Sequence, residues 1–277
     1  MASRPVRAHP ATYVALLIAS GAIALPFFWM VLTSLKTGAE VMTFPPKWLP
    51  DAPQWSNYAA AWRAAPFGRF YLNSLMTATA STALQIGLGG LMAYAFAHVR
   101  FPAKGALLIM VLATMMIPDE MRLVPNYLTV TRLGWYDTYW ALIIPPAAHA
   151  FPVFVLYQQF RMAPRDLLEA AQIDGAGHLR TLLQVVTPLS RPVLVAMTLF
   201  AFLGRWNDYL WPLVVTDRVA MRTLPIGLAY LRDMEAGSAN WHLLMAATVI
   251  VVAPLLFAYA LGQRWFVAGL TQGALKG

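Results

Sequence analysis

The sequence predicts an all-helical, polytopic membrane protein, and three observations carry that prediction. Of 277 residues, 59% are hydrophobic and only 12% are charged, where a soluble domain has about 45–50% and roughly 25%. No Asp, Glu, Lys or Arg occurs between Arg7 and Lys36, or between Arg69 and Arg100. Each gap exceeds the ~20 apolar residues that carry a helix across the hydrocarbon. Further apolar stretches follow, separated by short segments that hold most of the charge.

Six spans are expected, at about 12–34, 72–98, 105–129, 138–160, 191–214 and 242–262, within one transmembrane domain over 1–277. Arg4 and Arg7 before the first span imitate a secretory signal, and Ala22-Ile23-Ala24 imitates its cleavage site. The apolar run continues through Leu32, too long for a signal core, so the first span is read as uncleaved. In the second span Gly89, Ala93 and Ala97 recur at every fourth position, a row that lets helix backbones approach closely. The third is interrupted by Pro118-Asp119-Glu120-Met121-Arg122 and is expected to break near Pro118, facing protein or a water-filled path. Pro145, Pro146 and Pro152 imply kinks in the fourth.

The 161–190 segment reads as two short helices around a glycine. Pro164 suits a first helical position, and Asp166 and Glu169 complement the positive end of the helix dipole. Leu167, Leu168 and Ala171 form an apolar side; Arg165, Asp166, Glu169 and Gln172 form a polar one. Gly175 is the expected stop, in the left-handed conformation that a side chain opposes. Leu179, Leu182, Leu183 and Val186 then fall at helical spacing. A helix–glycine–helix hairpin of this kind suits a groove on another protein.

Glu169-Ala170-Ala171, three residues, Gly175, nine residues and Val185-Val186-Thr187-Pro188 resemble the EAA loop of ATP-binding-cassette (ABC) import permeases. Val185 and Thr187 depart from the usual isoleucine and leucine, on the apolar side. Met116-Ile117-Pro118, Val124-Pro125-Asn126-Tyr127, Leu133-Gly134 and Asp137-Thr138-Tyr139-Trp140 are similar to carbohydrate-importer permeases, as are residues Trp206–Pro212. The tail Gly269–Gly277 is similar to the maltose-type and glycerol-3-phosphate-type branch, to the second permease of its pair.

The resemblance implies a six-helix type I importer permease in a bacterial inner membrane, paired with a homologous second permease. It implies two cytoplasmic ATPase subunits docked on Glu169, Ala170, Ala171, Asp174, Gly175 and Pro188, and an extracytoplasmic solute-binding protein. The tail, through Gly273, Lys276 and Gly277, would reach the ATPases. ATP and magnesium would sit on those ATPases, with no cofactor or metal in this chain. Both termini and the 161–190 loop would be cytoplasmic, an orientation also favoured by the denser Lys and Arg in the shorter inside segments.

Two polar groups stand at membrane depth. Arg205, Asn207 and Asp208 lie in the fifth span among Trp206, Tyr209 and Trp211. Intramembrane ionisable groups line a water-filled path or pair with one another, and aromatic faces with hydrogen-bonding groups suit a polyhydroxylated solute. The competing reading is a buried Arg–Asp pair with the aromatics in an interfacial belt. Arg122, with Asn126 one turn on, is the second candidate. The run Pro118–Pro125 is similar to glycerol-3-phosphate permeases, and a guanidinium suits a phosphate; the competing reading is local pairing with Asp119 or Glu120. His149, between Pro146 and Pro152, reads as a packing residue.

Other classes fit less well. The absence of cysteine excludes disulfides and thiolate chemistry, and the five histidines lack zinc-site spacing. No lysine follows a glycine, so a phosphate-binding GxxxxGK[ST] loop is absent and ATP hydrolysis falls to a partner. The net charge of +8 is scattered, as for loops facing anionic lipid and not nucleic acid. An ion-coupled secondary transporter would need its own intramembrane carboxylates, and Asp208 is the one acid deep in a span. The expected cargo is a sugar-like solute, with glycerol 3-phosphate or its diesters as the alternative.

Overall fold

A computed structural model describes residues 10–235 and 240–271. All the regular structure among the described residues is helical, with no strand among them. They fall into two compact units, one holding residues up to Pro66 together with Leu228–Ala253, the other Phe67–Gly227 with the residues from Pro254 onward.

In the first unit α1 (Pro10–Ser34) carries no charge, and its 25 residues extend about 37 Å. The short α2 (Gly38–Val41) opens with a capping box: Thr37 accepts from the Glu40 N–H, and the Glu40 carboxylate accepts from the Thr37 N–H. Hydrogen bonds from the Thr37 and Asp51 N–H groups hold that carboxyl at about 2, well below its usual value. The α3 helix (Ser56–Ala64) is tied back to α1 by Asn57, whose Nδ2 donates to the carbonyls of Ser34 and Lys36 at 2.9 and 2.8 Å.

The second unit is organised by α4 (Phe67–His98). Asn73, Thr77, Ser81, Gln85, Gly89 and Ala93 are all buried, one per turn along a single face. The small-residue row expected from Gly89 onward is therefore half of a longer one whose first part is polar. Against this face pack α7 (Tyr139–Ala147), α8 (Ala150–Arg161) and α12 (Arg191–Trp206). The Gly89 position lies 3.5 Å from Pro152 Cβ and 3.7 Å from the Val153 nitrogen, measured from an added Cβ. Ser81 Oγ donates to the Ile143 carbonyl at 3.1 Å, on the stretch where Pro145 and Pro146 remove backbone donors.

Between α4 and α7 lie α5 (Lys104–Ala113), a 3-10 turn to Met116, and α6 (Asp119–Arg132). The break falls at Ile117-Pro118, as expected. After α8 come α9 (Arg165–Ile173), α10 (His178–Thr181), a π turn over Leu182–Val186 and α11 (Thr187–Leu189). The fifth span, expected as one run to 214, is instead interrupted: α12 ends at Trp206 and α13 (Leu210–Val215) starts anew. At the interruption the Asp208 carboxylate accepts from the Trp211 N–H at 3.4 Å and Pro212 carries no N–H, so neither residue 211 nor 212 closes a helical bond across the break. Then follow α14 (Leu224–Glu235) and α15 (Trp241–Thr271).

Only α1 and α4 are long and apolar enough to cross a membrane unbroken among the described residues. The α7–α8 pair, bent by 42° at Ala148-His149, qualifies jointly, as does His178–Leu189 with α12, bent by 88°. Lys104–Met116 and Trp241–Phe257 are shorter apolar helices at the expected third and sixth spans.

Among the glycines described in the second unit, Gly227 has the tightest surroundings. A Cβ there would stand 2.3 Å from Cδ2 of Phe70, whose fully buried ring is itself held edge-on by Phe67 at 5.9 Å. The ring has nowhere to retreat. We expect Gly227→Ala to cost about 1–3 kcal/mol by overpacking, read as a lower thermal midpoint of the purified complex. Gly90→Ala, mid-helix and with open space around the added methyl, should leave the midpoint unchanged or raise it slightly. An unaltered midpoint in Gly227→Ala would contradict the packing described.

Candidate functional site

Two features on the second unit bear on function: the α9–α10 hairpin and a cavity among broken helices. The hairpin turns through a Schellman motif. Gly175 sits at φ +74°, the Ala176 N–H donates to the Ala171 carbonyl at 2.9 Å, and the Gly175 N–H donates to that of Gln172 at 3.0 Å. Pro164 caps α9 from one position earlier than expected, and Asp166 lies in the first turn.

One side of the hairpin is fixed to the helices above it. Leu182 and Val186 are buried with Ala93, Tyr94, Leu156 and Phe160, and Leu168 packs on the edge of that cluster. The Tyr94 hydroxyl and His178 Nδ1 share a hydrogen bond at 3.3 Å. The π turn arises where Pro188, lacking an N–H, follows: the Thr187 N–H reaches back five residues to the Leu182 carbonyl. The other side is bare. Ile173 is 87% and Leu179 61% exposed, with Leu167 and Leu183 beside them. Glu169, Ala170, Asp174, Gly175 and Pro188 are exposed, whereas Ala171 is buried against the helices.

The cavity, of about 270 Å³, is lined from three interrupted helices. Asp119, Glu120, Arg122 and Asn126 come from α6, and Pro145, Pro146, Ala148 and His149 from the α7–α8 bend. Gly204, Arg205, Asp208 and Trp211 come from the α12–α13 break. Broken backbone at membrane depth is tolerated where it lines such a space. Of the residues expected on a solute path, Arg122, Asn126, Arg205, Asp208 and Trp211 converge here. Trp206, Asn207 and Tyr209 do not line it. Trp206 is 1% exposed, wedged between Tyr71 and Phe202 at 5.6 and 5.7 Å between rings. The Asn207 amide donates back to the Leu203 carbonyl. The proline and glycine contributors, and Asp119 and Glu120 as lining residues, were not singled out from the sequence; the clustering of helix-breaking residues was the available signal. Gly273, Lys276 and Gly277 lie outside the described residues.

The lining's charges are largely spent on each other. Arg122 pairs with Asp119, and Arg205 with Asp208 at 3.2 Å. The ion pairing expected as the competing reading for each arginine is present, and both arginines also border the cavity. Glu120 and the Asn126 amide have no hydrogen-bond partner among the described residues. Trp211, whose Nε1 donates to the Ala141 carbonyl at 2.9 Å, forms one wall.

The two ion pairs differ in shelter. Arg205 and Asp208 side chains are 22% and 20% exposed, whereas Asp119 is 67% exposed. Removing one member of a sheltered pair strands the other in low dielectric. We expect Arg205→Gln to reduce the amount of assembled protein in the membrane more than Arg122→Gln does. Adding Asp208→Asn should restore it. Equal abundance of both single variants would show that the pair is not structural.

Residues 85–272 match the family of binding-protein-dependent transport system inner membrane components. The chain is 32% identical over 267 residues to the diacetylchitobiose uptake system permease protein NgcG of Streptomyces coelicolor, covering 96% of this chain and 88% of that one. It is 33% identical over 264 residues to the sn-glycerol-3-phosphate transport system permease protein UgpE of Yersinia enterocolitica, covering 93% and 94%. Its fold matches a chain of a bacterial ABC transporter that imports the acidic polysaccharide alginate, with a TM-score of 0.82 at 22% identity over 95% of this chain and all of the other. With two thirds of its length inside the family match, this chain belongs to the binding-protein-dependent transport system inner membrane components.

Proposed function

We propose that this chain is the permease subunit of an ABC importer for an uncharged, sugar-like solute, driven by cytoplasmic ATPases that dock on the α9–α10 hairpin. Family membership supplies the coarse role, a membrane component of a binding-protein-dependent transport system. The observation that carries the finer reading is the hairpin: a Schellman turn at Gly175 presents bare Ile173 and Leu179 while Leu182 and Val186 anchor it to α4 and α8. A rigid apolar surface so tied to the helices is what a motor subunit needs in order to move them. ATP and magnesium belong to the ATPases in this reading, and this chain performs no chemistry. A homologous second permease and an extracytoplasmic binding protein complete the assembly, the latter in keeping with a related alginate transporter solved with its periplasmic protein (TM-score 0.60, 15% identity). Six spans with both termini and the 161–190 loop cytoplasmic follow from the same reading, each interrupted span counted as one.

The cavity supports an uncharged solute. A phosphate ester needs cationic compensation in a low-dielectric passage, and both guanidinium groups here already face carboxylates. Three carboxylates against two guanidinium groups leave no positive excess for an anion. Asn126, Glu120 and the paired groups still offer the hydrogen bonds that hydroxyls use. The similarity to UgpE keeps glycerol 3-phosphate as the second reading.

Three expectations follow. Gly175→Leu forces a side chain into a left-handed position, where the space around it in this chain is open. The chain should insert normally while ATPase co-purification and uptake collapse; wild-type uptake would refute the docking role. For topology, Ala176→Cys should resist a membrane-impermeant thiol reagent in intact cells, and Ala52→Cys should react; outside labelling of Ala176→Cys would sink topology and docking together. For cargo, uptake of an uncharged disaccharide should change little in Arg122→Gln. Wild-type uptake of glycerol 3-phosphate that falls tenfold or more in that variant, a loss of about 1.4 kcal/mol, would establish the phosphate reading.

A further inference from the structure

The α7–α8 bend that walls the cavity is capped by a histidine. Pro145 and Pro146 bring α7 to its end at Ala147. His149 then lies extended, at φ −131° and ψ 129°, and α8 starts at the next residue. The Phe151 N–H is one of the first-turn donors that a helix leaves without a carbonyl, and it donates to His149 Nδ1 at 3.3 Å. Serine, threonine, asparagine or aspartate usually fills such a position. An imidazole differs from them in holding a second nitrogen on the far side of its ring.

The cap fixes the tautomer. A ring nitrogen that accepts a hydrogen bond carries no proton, so in the neutral imidazole the proton sits on Nε2. His149 lines the cavity. Its Nε2 has no hydrogen-bond partner among the described residues and is not sealed from the surrounding space. The packing role expected for this residue therefore accounts for one of its two nitrogens. Asn126, His149 and Trp211 carry the neutral side-chain donors of the lining. Trp211 Nε1 is committed to the Ala141 carbonyl. The Asn126 amide can turn either its oxygen or its nitrogen to the cavity. His149 is the one locked as an open donor.

We infer that His149 is a specificity-determining residue of the cavity, donating Nε2–H to a hydroxyl or carbonyl oxygen of the passing solute. This rests on the reading of the chain as an importer of an uncharged solute. A neutral donor pairs with a neutral oxygen, and it gives a phosphate no compensating charge. Because the start of α8 pins the ring, the donor is in place before the solute arrives. A solute without the matching oxygen leaves that donor unpaired and is rejected.

Magic-angle-spinning NMR of the assembled transporter in lipid, with isotopically labelled histidine, tests this without knowledge of the solute. The signals lost in His149→Asn identify the ring. Asparagine keeps the cap, so abundance and thermal midpoint should hold in that variant, whereas His149→Leu should lower both. The ring should show a bare Nδ1 and a protonated Nε2 whose proton exchanges readily with water. A proton on Nδ1 would overturn the inference. So would an Nε2 proton protected from exchange in the solute-free transporter, since the second permease would then already hold it. In proteoliposomes supplied with the binding protein and maltose as the probe, His149→Asn should raise KM about tenfold with the maximal rate retained. An unchanged KM would equally overturn the assignment. The NMR result stands whether or not the wild type carries maltose, so failure of this inference is separable from failure of the cargo reading.

Discussion

The face of α4 from Asn73 to Ala93 is the constraint on which the second unit depends. In lipid the hydrophobic effect gives helices no reason to associate, so close approach and interhelical hydrogen bonds must hold them together. One residue per turn supplies both: polar at the Asn73 end, small at the Ala93 end. The polar end works outward from the helix axis. Asn73 Nδ2 donates to the carbonyls of Ala220 and Arg222, its Oδ1 accepts from the Tyr139 hydroxyl, and Ser74 accepts from the Leu224 N–H. The small end lets α8 approach Gly89 to ordinary contact distance, and Ala93 and Tyr94 receive the hairpin's anchors, Leu182 and Val186.

Both candidate features hang on this seam. The α7–α8 bend and the end of α12, which wall the cavity, are elements packed directly on α4. The hairpin reaches the same helix through its buried side. A displacement at the hairpin therefore has a rigid element to act on, and that element carries two of the cavity's three walls. The breaks themselves are where movement is cheapest, because prolines and Asp208 have already removed the helical hydrogen bonds that a bend would otherwise sacrifice.

Features set by local chemistry were legible in the sequence. Gly175 announced its left-handed turn, Pro118 its break, and the paired prolines their bend, because each depends on the residue's own backbone. Features set by side-chain packing and tertiary contacts were not. Trp206 reads as a path residue beside Arg205 and Asp208, yet a helix turns by 100° per residue and delivers it to Tyr71 and Phe202 instead. The polar half of the α4 row escaped notice because Asn73, Ser74 and Thr77 look like the margin of a span, whereas α4 begins at Phe67. Lys36 ends a charge-free run in the sequence, and nothing there shows that its ammonium folds onto the Lys47 carbonyl and the Trp29 ring.

The central claim is that the hairpin is where a motor engages this permease. A photo-reactive amino acid at Leu179, bare on the hairpin's free side, tests it without knowledge of the solute. On irradiation of the assembled transporter in membranes, the account predicts that the cross-linked product contains an ATP-hydrolysing subunit, and that its yield changes between ATP-bound and nucleotide-free states. A cross-link to lipid alone, or the absence of an ATPase from the product in every nucleotide state, would contradict it.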